Sequence, residues 1–188
     1  EANNLAILGA AEALQSKGRH VITNKTEHPS VIESYKSLEK NGFQVTYINC
    51  DENGDIDPED FRASITEKTI LASFMWVNNE TGLIHPIEEL ARIAHEYGVR
   101  LHCDAVQAFG HIPIDLQNSP LDSLALSGHK LGTPAGIGAL FVRKGHAISH
   151  QSFGGSQEQN VRAGTQNHLG TTALATAIEY HAELDRKS

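Results

Sequence analysis

The sequence predicts an α/β fold: a mostly parallel sheet covered on both faces by helices. Two observations carry that expectation. Short runs rich in branched apolar residues alternate along the chain with longer stretches whose apolar residues recur at helical spacing. The residues with chemistry to offer fall at or just after the strand-like runs, and open α/β sheets bind ligands in the crevice beyond the carboxyl ends of their strands.

Taken in order, helical spacing runs from Asn4 to Ser16, and Gly18 suits a cap before a strand at His20–Thr23. Pro29 fits the first turn of a second helix, Ser30–Lys40, with Gly42 closing it before the strand Gln44–Ile48. Asp51-Glu-Asn-Gly-Asp55 resembles part of a calcium loop, but it lacks the spaced ligands and terminal glutamate of an EF-hand and reads as a solvated turn. A strand follows at Thr69–Phe74. Pro86 opens the helix Pro86–Tyr97, and Gly98 ends it before the strand Val99–His102. Leu121–Leu126 and Gly138–Val142 complete the strands, and Thr171–Leu184 is the last helix. No repeat, low-complexity segment or Pro/Ser-rich linker interrupts the pattern, so residues 1–188 read as one domain with a full core.

Composition excludes several functions. Fifteen basic against twenty-three acidic residues give a formal charge of -8, with no basic stripe for nucleic acid. No apolar run approaches the roughly 20 residues needed to span a bilayer. Two cysteines, Cys50 and Cys103, do not make a disulfide framework and fit a reducing, cytoplasmic setting. His102, Cys103 and Asp104 are adjacent, yet neighbouring strand residues point to opposite faces and cannot all grip one ion, so no metal site is expected.

The chemistry concentrates in Ser127-Gly128-His129-Lys130, which follows the apolar run Leu121–Leu126. A lysine after a strand is more often a snorkelling surface side chain, but a second strand end upstream that carries a carboxylate favours a buried one here. Burial disfavours the charged form of a lysine and leaves a free amine able to condense with a carbonyl as a Schiff base. Upstream, Asp104 leaves a second strand end, so an acid and an amine can share one cleft. His28, Asn79, Gln107, Ser127 and His129 also lie at or just beyond strand ends. A Ser/His hydrolase dyad competes for Ser127, but no Gly-x-Ser-x-Gly elbow surrounds it.

Six segments, Thr26-Glu-His-Pro-Ser30, Val77-Asn-Asn-Glu-Thr-Gly82, His102-Cys-Asp-Ala-Val-Gln107, Ser127-Gly-His-Lys130, Gly136–Val142 and Arg162-Ala-Gly-Thr165, resemble in order and spacing the cysteine desulfurases of the class V aminotransferase family. The resemblance implies a fold type I large domain that binds pyridoxal 5'-phosphate (PLP), an α/β/α sandwich spanning 1–188 without the family's N-terminal phosphate loop or C-terminal small domain. It implies that Lys130 carries the cofactor and moves protons, that Asp104 pairs with the pyridine nitrogen, and that Asn79 and Gln107 serve the phenolic oxygen side. His28 would stack on the ring and assist proton transfer, Ser127 and His129 would bind the phosphate, and Thr165 would reach the phosphate in the partner subunit of a homodimer. Arg162 has a charge that could steady the phosphate or the dimer seam but is read as structural, and Trp76 would line the pocket or pack in the core.

The activity so implied converts L-cysteine to L-alanine and passes sulfur to an acceptor protein for iron-sulfur cluster assembly or tRNA thiolation. The Arg162–Thr165 form is nearer to the desulfurases of general iron-sulfur assembly. Two other readings stand beside it: another class V aminotransferase or lyase, and a catalytically silent dimerisation fragment.

Overall fold

The structure, a computed structural model, describes residues 1–185. Six strands form one sheet in the order β2-β1-β3-β4-β5-β6. They are β1 (His20–Asn24), β2 (Gln44–Ile48), β3 (Thr69–Met75), β4 (Arg100–Asp104), β5 (Ser123–Ser127) and β6 (Gly138–Val142). The first five run parallel, and β6 returns antiparallel to β5. β1 lies between β2 and β3, so the chain reverses its direction of travel across the sheet there, the topology beyond whose strand ends open α/β sheets bind ligands.

Helices α1 (Ala2–Leu14) and α2 (Pro29–Lys40) cover one face. α1 buries Asn3, Ala6, Ile7, Ala10, Ala11 and Leu14, and α2 buries Val31, Ser34, Tyr35 and Leu38, the stripes that a period near 3.6 produces. On the other face lie α3 (Pro58–Ser64), α4 (Ile87–Glu96) and α5 (His168–Asp185), packed on a core that includes Phe61, Phe74, Leu90, Leu101 and Leu174. β1 and β3 are buried along their whole length, as strands covered on both faces must be.

Several expectations are corrected. The helix α3 is absent from the pattern of periodic segments because it buries one apolar side chain, Phe61, edge-on to Phe74 at 5.1 Å between ring centroids. Its start is nevertheless written in the chain: Asp57 accepts from the Glu59 amide at 2.8 Å, Pro58 follows, and Glu59 and Asp60 sit in the first turn. α1 begins at Ala2, not Asn4, and Pro86 is the N-cap of α4, not a first-turn residue. Gly42 and Gly98 close their helices with φ of +82° and +69°. Gly18 serves another purpose: a Cβ there would collide with the Lys68 carbonyl, so the glycine permits a close backbone crossing. In the Asp51–Asp55 turn, Asp51 Oδ1 accepts from the amides of Asn53 and Asp55, each at 2.8 Å. Trp76 is a core residue. No helix among the described residues is long and apolar enough to cross a membrane.

Candidate active site

The parallel register aligns the carboxyl ends of β1, β3, β4 and β5 along one edge, with Thr23 beside Ser73, Met75 beside Asp104, and Asp104 beside Ala125. From this edge leave His28, Asn79, Asp104, Gln107, Ser127, His129 and Lys130. His28 is the N-cap of α2; its Nδ1 accepts from the Ser30 amide at 3.1 Å and lies 2.8 Å from Ser30 Oγ. Asp104, the last residue of β4, is buried at 5 % exposure; Oδ1 accepts from the Val106 amide at 3.0 Å and Oδ2 from Asn3 Nδ2 at 2.7 Å. Ser127 Oγ and His129 Nδ1 pair at 2.8 Å.

Lys130 is exposed, contrary to the burial expected of it. The strand ends at Ser127, and the 3₁₀ turn Gly128–Leu131 buries Gly128 and Leu131 while turning His129 and Lys130 outward. The Lys130 amine is reached from the rim of the sheet, without the apolar surround expected of it. Asn79 is exposed and Gln107 half-buried, and neither is hydrogen-bonded to the other site residues among the described residues. Thr165 lies in the irregular segment before α5, exposed and without a hydrogen bond to this edge. Arg162 pairs with Glu1 at 2.7 Å.

The structure adds residues that the sequence reading passed over. Asn3, at the start of α1, reaches Asp104, donates to Ser30 Oγ at 2.9 Å, and through Oδ1 accepts from His102 Nε2 at 3.0 Å. His102 Nδ1 lies 2.9 Å from Ser123 Oγ on the neighbouring strand. His102 and Asp104, two apart on β4, share a face of the sheet, and Cys103 between them points into the opposite core. Burial pushes the His102 imidazole down to about 3, so it is neutral. Burial likewise pushes the Cys103 thiol well up.

Glu27 bridges the ends of β1 and β3. Its Oε1 accepts from the Met75 amide at 2.8 Å and from Asn24 Nδ2 at 2.7 Å, while the buried Oε2 has no partner among the described residues. Burial first, and then the nearby Asp104 carboxylate, push the Glu27 carboxyl well above the usual range. The available sequence signals were faint: Asn3 is a polar residue inside an Ala-rich helix start, and Glu27 is one charge in a polar loop.

A mostly parallel sheet thus carries a carboxylate, two exposed imidazoles, a hydroxyl and a lysine at or just beyond the carboxyl ends of its strands, where open α/β sheets bind their ligands. The chain belongs to the class-V aminotransferase family, whose profile matches residues 1–188. It is 49% identical over 179 residues to a cysteine desulfurase IscS of Dictyoglomus turgidum, covering 95% of this chain and 45% of that protein. To a putative cysteine desulfurase, IscS 1, of Bacillus subtilis it is 44% identical over 183 residues, 97% of this chain and 48% of the other. Among solved structures, a NifS-like protein superimposes with a TM-score of 0.93 at 36% identity, over 97% of this chain and 50% of that one. SspA in complex with cysteine gives a TM-score of 0.91 at 37% identity, over 95% and 52%. The chain thus spans about half the length of the relatives it matches.

Proposed function

We propose that this chain forms the cofactor-binding part of a PLP-dependent cysteine desulfurase, in which the Cβ–S bond of L-cysteine is broken, sulfur passes to a thiol as a persulfide, and L-alanine is released. The donor set at the sheet edge carries the reading. Asp104 is a buried carboxylate with one donor on each oxygen, suited to a protonated ring nitrogen. Lys130 offers an exposed amine for an aldehyde, and Ser127 and His129, already paired, offer hydroxyl and imidazole to a phosphate. His28 presents a flat ring for stacking, and Asn79 and Gln107 present amides for the phenolic oxygen. Thr165 serves the partner subunit of a homodimer, in a cytoplasmic enzyme. These residues fit PLP, which supplies an electron sink when bound.

The chain's own residues then do three things. Asp104 binds and orients the ring through its fixed carboxylate plane. His28 and Lys130 hold and move protons at Nε2 and Nζ. Cys103 is not the sulfur acceptor, since its thiol is buried and held in the unreactive protonated form. The acceptor is a more accessible thiol, and the sulfur's destination is a protein of iron-sulfur cluster assembly or tRNA thiolation.

The test is the visible absorbance of the purified protein after mixing with PLP and removing free cofactor, beside Lys130→Ala, followed by assay of alanine release from L-cysteine. Retained absorbance that Lys130→Ala lacks, with alanine formed, is the expected result. Retained cofactor with transamination of another amino acid and no alanine from L-cysteine would place the chain elsewhere in its family. A folded protein that retains no cofactor would refute the reading.

A further inference from the structure

We propose that Asn3 is a positioning residue whose side-chain amide joins Asp104, His102 and His28 into one hydrogen-bonded unit with a single permitted direction of donation. The inference rests on the site reading above and extends it to groups outside the donor set.

The direction follows from what each group can do. An ionised carboxylate only accepts, so the group 2.7 Å from Asp104 Oδ2 is the amide nitrogen of Asn3. Its oxygen therefore faces His102, and an amide oxygen only accepts, so His102 Nε2, 3.0 Å away, carries the ring's proton. A neutral imidazole has one proton, which leaves Nδ1 bare to accept the Ser123 hydroxyl at 2.9 Å.

The other end gives the same answer independently. The Ser30 amide donates to His28 Nδ1, which must therefore be bare, so the Ser30 hydroxyl at 2.8 Å donates to it as well. That leaves a lone pair of Ser30 Oγ for the second amide proton of Asn3, at 2.9 Å. Asp104 and His28 thus each demand the same orientation of one amide, both of whose protons are used.

Three consequences are functional. The carboxylate plane of Asp104 is set by two donors, the Val106 amide on one oxygen and Asn3 on the other. The buried His102 is held as a neutral Nε2–H ring, so it supports Asn3 without bringing a competing positive charge toward Asp104. The His28 ring is oriented by the same amide, so a displacement at one proposed cofactor contact is felt at the other. The Asp104–Asn3–His102–Ser123 part of the network is buried, and each of its joints is hydrogen-bonded, so it rigidifies the strand end.

The experiment is nitrogen-15 NMR of histidine-labelled protein, cofactor-free, across about pH 5 to 8, the range in which an ordinary histidine titrates. It is made on the wild type, Asn3→Ala and Ser123→Ala, with PLP affinity and the absorbance of the bound cofactor against pH measured on the same samples. The wild type should show His102 protonated on Nε2 alone and not titrating, and the neutral form of His28 with its proton on Nε2. In Asn3→Ala, His102 should become a mixture of tautomers and PLP should bind about ten-fold more weakly, the loss expected when a charged acceptor loses a buried donor. Ser123→Ala should also release the His102 tautomer, by removing the donor to Nδ1.

A wild-type His102 protonated on Nδ1, or charged, would overturn the proposal. So would a folded Asn3→Ala with an unchanged His102 tautomer and unchanged PLP affinity. Should the wild type show the stated tautomers and bind no PLP, the hydrogen-bonded unit is supported and the cofactor reading alone fails.

Discussion

Asp104 concentrates the chemistry of the site at the scale of single residues, because it is the buried carboxylate with fixed donors on both oxygens at the sheet edge. Replacing it by asparagine keeps the size and one accepting oxygen but removes the charge that would hold a ring nitrogen protonated. Asp104→Asn is therefore expected to fold and to bind PLP at least ten-fold more weakly, a charge-assisted hydrogen bond being worth about 1.5–3 kcal/mol. Equilibrium dialysis with absorbance detection checks this, and unchanged affinity would remove Asp104 from the site. Ser127→Ala should weaken PLP less, because His129 remains to meet the phosphate. At this scale the sequence was informative wherever residues follow strands. It was silent on Asn3, whose role depends on the start of one helix meeting the end of a strand 101 residues away in the chain.

Elements place those residues. The 3₁₀ turn bearing Lys130 is clamped to the approach of β6, with the Gly128 amide donating to the Ile137 carbonyl at 2.9 Å and the Thr133 amide to the Gly128 carbonyl at 3.1 Å. A Cβ on Gly128 would come within 2.7 Å of Ile137 Cγ2 and collide with Thr133 Oγ1. Gly128→Ala should cost about 1–3 kcal/mol, as overpacking does, and should displace Lys130 enough to weaken cofactor retention. At α3, remote from the site, Asp57→Ala should cost about 1 kcal/mol through the lost N-cap and leave PLP affinity unchanged. Chemical denaturation paired with the binding assay separates the two cases; equal loss of binding in both would mean that the turn has no special part in the site. The long periodic helices α2 and α4 were legible from spacing, and α3 was not, because seven residues with one buried side chain carry no period.

For the whole molecule, two buried groups set opposite pH dependences. His102 titrates near 6.5 when unfolded and only near 3 in the fold, so between those values the unfolded chain binds more protons. Its contribution to stability is complete above about 6.5 and is lost as the pH falls toward 3. Glu27 acts the other way. Its folded carboxyl titrates well above 4.5, so from 4.5 upward the fold holds a proton that the unfolded chain releases, and stability falls as pH rises toward the folded value. Denaturation midpoints across pH should therefore show a shallower acid-side rise for His102→Gln and a shallower decline above pH 4.5 for Glu27→Gln than for the wild type. Glu27→Gln keeps an oxygen to accept the Met75 amide. Profiles parallel to the wild type would show that neither group is buried as described.

By itself the sequence determined the alternation of strands and helices, and with it the parallel sheet and the edge on which ligand chemistry must lie. Both follow from short branched apolar runs and a helical period near 3.6 residues, which are local properties of a chain. It also placed the chain in its family through six short segments in register. Tertiary structure alone decided which of those residues touch. The antiparallel return of β6, the exposure of Lys130, the upward shift of the Glu27 carboxyl and the orientation of the Asn3 amide each depend on what packs beside them. Burial and hydrogen-bond complementarity belong to neighbours in space, and neighbours in space are not written in the spacing of residues along a chain.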